Sequence, residues 1–168
     1  LDAARPDSAH DFGKNIIPRI VEMGRAYAYP FVGYWVDVGT IQAYWETSMA
    51  LLEEDPALDL YNSDWIIHTR SEERPPVKIM PPGSLEKSMA SNGCNICGAV
   101  INSVLSPGVI VEKGAVVRNS VIMNDTIIRA GAAVTNCVLD KHIEVGPGAQ
   151  LGYGKDSTPN KLEPDNLN

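Results

Sequence analysis

The feature that most constrains this chain is a rhythm of six. Ile110, Val116, Ile122, Ile128 and Val134 are all β-branched and fall six residues apart. Four residues after each come Gly114, Ser120, Thr126, Ala132 and Val138, small or medium in size. The position just before each aliphatic holds Val109, Ala115, Val121, Ile127 and Ala133. Val104 and Gly108 extend the register upstream. After Leu139 it slips by one residue and resumes from Val145 to Leu151. A helix needs apolar residues roughly every three to four positions and a flat sheet every two, so neither fits. A hexad suits a solenoid whose coils have three short sides, one hexad per side, with the large aliphatic inside and the small residue at the corner. The reading is a mainly β fold, a single-stranded left-handed parallel β-helix. About nine or ten hexads between residues 92 and 151 make roughly three coils.

The rest of the chain has a different grammar. Residues 1–54 read as mixed α/β. Ile16, Ile17, Ile20 and Val21 have the spacing of one buried helical face over 13–23, where Pro18 is tolerated only in the first turn. Residues 25–31 and 33–38 are aromatic and β-branched and predict two strands. Thr40 is the expected N-cap of a helix running to about Glu53, with Ile41, Tyr44, Trp45, Met49 and Leu52 on one side. Residues 55–90 form a connector with one possible strand at 65–69 and breaks at Pro75-Pro76 and Pro81-Pro82-Gly83. The solenoid is assigned to 91–155 and a polar tail to 156–168.

Composition excludes several classes. Hydrophobic content of 44% and charged content of 21% are those of a globular chain. A net charge of −7 without a Lys/Arg stripe argues against a nucleic-acid surface. No apolar run reaches the ~20 residues of a membrane span. The start, Leu1-Asp2-Ala3-Ala4-Arg5, is not a signal peptide and reads as a cut inside a longer chain, and the polar end reads as clipped too. Three cysteines make a disulfide framework improbable, and the expected compartment is the reducing cytoplasm.

Two clusters could carry chemistry: residues 8–18, containing His10, Asp11, Phe12 and Lys14, and residues 33–46, containing Trp35, Asp37 and Thr40. A carboxylate at a strand end beside an aromatic wall could hold Mg²⁺ while the indole stacks on a sugar. Each also has a plainer reading. Asp37 could be a turn residue ahead of Gly39-Thr40, Asp11 a helix cap and His10 a solvated loop residue. Cys94 and Cys97 form a lone Cys-x-x-Cys, read as small buried solenoid residues rather than half of a metal or redox site.

The runs Tyr34-Trp35-Val36-Asp37-Val38-Gly39-Thr40 through Tyr44-Trp45, and His10-Asp11-Phe12-Gly13-Lys14-Asn15-Ile16-Ile17-Pro18, strongly resemble the ADP-glucose pyrophosphorylases, the bacterial glucose-1-phosphate adenylyltransferases. Asp59-Leu60-Tyr61-Asn62, Trp65-Ile66-Ile67, Pro75-Pro76-Val77-Lys78 and the hexads around Ser103-Val104 and Ser120-Val121 resemble the same family's connector and β-helix. The resemblance covers nearly the whole chain. It implies the C-terminal portion of a cytoplasmic transferase that makes ADP-glucose and diphosphate from ATP and glucose 1-phosphate in glycogen synthesis. It implies further that Asp37 is a catalytic carboxylate and Mg²⁺ ligand, and that Asp11, Phe12 and Trp35 line the glucose 1-phosphate site. The β-helix would serve homotetramer assembly and allosteric control. The family's Gly-rich nucleotide loop, basic residues and first metal carboxylate are not in this sequence, so the chain alone is expected to be inactive.

Two alternatives stay beside this one. A non-catalytic regulatory paralogue of the same enzyme would share the motifs. A hexapeptide-repeat acyltransferase would use a His at a coil interface as base, and His142 is the only His in the repeat.

Overall fold

The computed structural model describes residues 9, 11–24, 26–69 and 72–153. His10, Arg25 and the tail 156–168 therefore lie outside the described residues. The chain divides into two units, 1–34 and 35–168, each taken by itself.

In the first unit the expected helix is present in two pieces. A wide π-helical turn (Phe12–Ile16) leads into α1 (Ile17–Glu22). Pro18 sits in the first turn of α1. It lacks an N–H, and its ring disfavours an ordinary α turn four residues upstream. The preceding amides reach one residue further: Ile16 N donates to the Asp11 carbonyl at 3.0 Å and Ile17 N to that of Phe12. Among the described residues, the strands expected at 25–31 and 33–38 are not formed, nor is the one at 65–69. These segments have β-forming composition, but a strand exists only by pairing, and they join no ladder among the described residues.

In the second unit α2 (Ile41–Ala50) is capped as expected, Ala43 N donating to Thr40 Oγ1 at 3.1 Å. It ends three residues before Glu53. The remainder is a parallel β-solenoid with three faces. The first stacks Lys78–Ile79, Asn95–Ile96, Ile110–Val111, Ile127–Ile128 and Glu144–Val145. The second stacks Ser84–Glu86, Ala99–Ile101, Val116–Arg118, Ala133–Thr135 and Gln150–Leu151. The third stacks Met89–Ala90, Val104–Leu105, Val121–Ile122 and Val138–Leu139. That makes about four coils instead of three. Three of the strands fall within residues 55–90, so the stack starts earlier than the hexads indicated.

The inward positions correct the strict period of six. In the later coils Val111, Val117, Ile122, Ile128, Val134, Leu139, Val145 and Leu151 belong to the core, so the sides run 6, 5, 6, 6, 5, 6 and 6 residues. Ile110 and Val116 face outward and are half-buried, while Val111 and Val117 beside them are wholly buried. Three coils have 17 residues, as the pairings of Lys78 with Asn95, Ile110 with Ile127, and Ile127 with Glu144 record. The coil from Asn95 to Ile110 has 15, which hides the repeat upstream. Small residues two positions before the inward aliphatic, such as Ala115, Ser120, Thr126 and Ala132, are also buried. They point inward at the corners, where only a short side chain fits.

The short side has a local cause. The corner between the second and third faces is turned by Asn102, Asn119 and Asn136, each with left-handed backbone (φ 45°, 48° and 53°). Asn tolerates that region better than other side-chain-bearing residues, and one such residue turns a corner that elsewhere takes two. Their amides form a column: Asn102 Nδ2 donates to Asn119 Oδ1 at 3.0 Å, and Asn119 Nδ2 to Asn136 Oδ1 at 3.1 Å. A second column runs beside it. Ser103 Oγ accepts from Ser120 N and Ser120 Oγ from Cys137 N, both at 3.1 Å, while each hydroxyl donates to a carbonyl of its own coil. Buried Ser103 and Ser120 are thereby satisfied.

Two outcomes follow for urea unfolding. Ile122→Ala removes a fully buried side chain and is expected to cost about 2–5 kcal/mol. Asn119→Ala loses the amide column and keeps a strained backbone, at about 2 kcal/mol. Asn119→Gly loses the column but relieves the strain, so it should be the milder of the two; the reverse order would refute the strain argument.

Candidate functional site

Asp11 and Phe12 belong to the first unit, Trp35 and Asp37 to the second. Asp11 Oδ1 accepts from Lys14 N at 2.7 Å, and Asp11 N donates to Asn15 Oδ1 at 3.1 Å. This is a reciprocal cap of the kind that satisfies the free amides of a helix start. Phe12 is 68% exposed, while Ile16 is the buried residue of that turn.

Asp37 Oδ1 accepts from Gly39 N at 3.0 Å, tying the carboxylate to the residue before the Thr40 cap. A side chain at Gly39 would come within 3.1 Å of that oxygen. The plain readings of both aspartates are thus present as local geometry, and both carboxylates remain exposed. Trp35 is 75% exposed, as are the flanking Val36 and Val38 in lesser degree.

The solenoid carries polar features that no local pattern announced. Arg74 makes a bidentate pair with Asp125, 51 residues away, at 2.6 and 3.0 Å, and also reaches Glu72 at 2.8 Å. The Arg74 side chain lies across Gly93 with its Cδ and across Gly108 with its guanidinium, where any side chain would collide with it. Hydrogen bonding to Arg74 holds the Asp125 carboxyl below the ordinary range. A cleft of about 430 Å³ opens beside this pair, walled by Pro75, Pro76, Lys78, Asn95 and Ile110. Arg129 bonds Glu112 and Glu144, each at 2.8 Å, joining three successive coils. Both carboxyls are lowered by it, Glu112 also by the Ala130 amide.

Cys94 is buried and its Sγ donates to the Ser106 carbonyl at 3.2 Å, while Cys97 is half-buried. Burial pushes the thiols of Cys94 and Cys137 up, away from the thiolate that metal or redox chemistry uses. Among the described residues no group of three His, Cys, Asp or Glu could hold a metal ion. His142 is exposed at a corner, with left-handed backbone (φ 58°). Among the described residues no helix is long and apolar enough to cross a membrane.

Comparison with known proteins places this geometry. Residues 75–162, more than half the chain, match the family described as GlmU-like, C-terminal hexapeptide. The chain belongs to the GlmU-like hexapeptide family. Residues 2–54, which contain both candidate clusters, match the family described as Nucleotidyl transferase. A glucose-1-phosphate adenylyltransferase of Thermomicrobium roseum is 55% identical over 94% of the chain. One of Acetivibrio thermocellus is 44% identical over 97%, and one of Streptomyces coelicolor 44% identical over 70%. The resemblance read from the two N-terminal motifs is borne out. The chain corresponds to the C-terminal portion of such proteins and spans 37% and 38% of the length of the first two. The hexapeptide match covers all the solenoid strands, whereas α2, which packs against them, lies inside the nucleotidyl transferase match.

The Arg74–Asp125 pair makes a pH prediction. A carboxyl whose folded pKa is lowered contributes stability above its unfolded pKa, about 4, and that stability is lost as pH falls through the folded value. Stability should therefore decline on acidification below about pH 4. Asp125→Asn should flatten that decline in a series of thermal melts; an unchanged acid limb would show that the pair is not a source of it.

Proposed function

We propose that this segment forms part of a glucose-1-phosphate adenylyltransferase, which converts ATP and glucose 1-phosphate to ADP-glucose and diphosphate. The observation that carries this reading is similarity to enzymes of that name over 94–97% of the chain, both candidate clusters included. The sugar phosphate would attack the α-phosphorus of ATP and diphosphate would leave, so catalysis rests on positioning and charge neutralisation.

In this reading Asp37 is the catalytic carboxylate and a Mg²⁺ ligand. The side chain suits the role: it is exposed, and one oxygen is oriented by the Gly39 amide. Mg²⁺ is commonly held by one or two carboxylates together with substrate phosphates and water, so Asp37 would supply one protein carboxylate and the N-terminal portion of the whole enzyme the other. Bound Mg²⁺ would neutralise the charge of the triphosphate. Asp11, Phe12 and Trp35 would contact glucose 1-phosphate, the exposed rings offering an apolar face to the sugar.

The solenoid is assigned to homotetramer assembly and allosteric control. Supporting this, its stacks end on strands that are paired on one side only among the described residues, edges that invite a partner. Its compartment would be the cytoplasm.

The test joins this chain to the N-terminal portion of the Thermomicrobium roseum relative and measures diphosphate release from ATP, Mg²⁺ and glucose 1-phosphate. The chimera should be active, and Asp37→Asn should lower its rate by about 100-fold or more. The isolated chain should yield no ADP-glucose. A folded but inactive chimera would favour the regulatory paralogue, and an active Asp37→Asn chimera would return Asp37 to its turn.

A further inference from the structure

α2 does not simply lie on the solenoid; it is indexed to it. Met49 and Leu52 are buried with Val121 on the third face, and Tyr44, Trp45, Met89, Val104 and Val138 complete the cluster. Three contacts then follow the corner of left-handed residues, one coil at a time. Glu53 meets Lys87 at 3.0 Å, Met49 Sδ accepts from Asn102 Nδ2 at 4.0 Å, and the Trp45 indole donates to the Asn119 carbonyl at 2.8 Å. Within α2, positions 45 and 49 lie four apart, about 6 Å of helical rise, close to the ~4.8 Å between stacked strands, and Glu53 follows in the turn just past the helix end. One turn of the helix thus advances with one coil of the solenoid.

These contacts differ in strength. Lys87–Glu53 is a surface ion pair, worth little. The thioether is a weak acceptor. The indole bond is short and half-buried, and only it is strongly directional. Trp45 lies one turn past Ile41, the first residue of α2. Upstream, Ala43 N is held by Thr40 Oγ1 and Gly39 N by Asp37 Oδ1. A series of local hydrogen bonds, joined by the backbone of α2 and its cap, therefore runs from the Asn119 corner to the carboxylate.

We propose that Trp45 is a positioning residue: its bond to the Asn119 carbonyl fixes α2 on the coil stack and thereby sets where Asp37 stands. The structural part stands alone; the functional part rests on the reading of Asp37 as the Mg²⁺ ligand. If so, a change in the coil stack reaches the carboxylate through one rigid turn of helix.

Hydrogen exchange on the chain itself tests the structural part. In the wild type the Trp45 indole N–H should be protected; free exchange would overturn the proposal without any variant. Trp45→Phe keeps a ring in the cluster and loses the donor. It should speed exchange of the Gly39 and Ala43 amides by about 10-fold, the scale of one lost hydrogen bond, while Val121 N, bonded to Cys137 O at 2.9 Å, stays protected. Met49→Ala disturbs packing but keeps the indole bond, and should leave Gly39 less affected than Trp45→Phe does. Equal effects would mean packing alone holds α2. In the active chimera Trp45→Phe should raise the Mg²⁺ concentration for half-maximal rate by on the order of 10-fold, with the KM for glucose 1-phosphate little changed. A fall in kcat at unchanged Mg²⁺ dependence would overturn the functional part. An inactive chimera would remove the reading of Asp37 and with it the functional part, while the exchange result would still decide the structural part.

Discussion

The solenoid depends on closing a coil, in 17 residues everywhere but between Asn95 and Ile110. Three corners do it, and each is a column of left-handed backbone repeated at that interval: Gly114, Gly131 and Gly148; Asn102, Asn119 and Asn136; Gly108, Asp125 and His142. Corner amides also bond the coil above, as Asn119 N does to the Ile101 carbonyl at 3.1 Å and His142 N to that of Asn124 at 2.9 Å. The turn and the stacking are thus one interaction. A residue that cannot adopt positive φ disturbs both at once, because the corner amide would leave its partner as the chain straightened.

The three columns carry different chemistry although they do the same geometrical work. Glycines at the first corner leave it bare; added side chains at Gly131 and Gly148 would meet nothing within 4 Å. Asparagines at the second form an amide ladder and receive α2. At the third, two glycines make room for Arg74, and Asp125 one coil on receives its guanidinium. The connector is docked where the stack offers both space and charge. These pairs are partly exposed, so their role lies more in register than in net stability.

How much of this was legible in the sequence differs by kind of interaction. The solenoid was readable because its core residues recur at nearly constant spacing, and the N-cap at Thr40 because it is a local bond. The phase was misread at Ile110 and Val116 because each inward residue there has a β-branched neighbour outside, and composition cannot tell the two apart. The five-residue side escaped because one Asn replaces a two-residue turn without any change in hydrophobicity. The strands expected at 25–31 and 33–38 failed for a different reason: aromatic and β-branched composition gives a propensity, while the ladder partner has to come from elsewhere. Of the candidate site, residue types were legible and their arrangement was not. Arg74–Asp125 and Trp45–Asn119 join residues 51 and 74 positions apart, and only the coil register brings them together.

α2 shows why a boundary drawn in sequence differs from one drawn by packing. By sequence match it belongs to the nucleotidyl transferase portion, residues 2–54, and by contact to the solenoid. Its apolar face has Val121, Val104 and Val138 as neighbours, outward residues of strands whose other side fills the core. Those positions would be water-exposed on a solenoid standing alone, and covering them removes an apolar stripe that such a surface would otherwise present. The third face is therefore apolar on both sides, and the other two are not. That asymmetry selects where the helix sits, and the Asn corner selects how far along it slides. The exposed cluster from Trp35 to Gly39 then takes its position from a helix held by side-chain packing on one axis and by a single directional bond on the other.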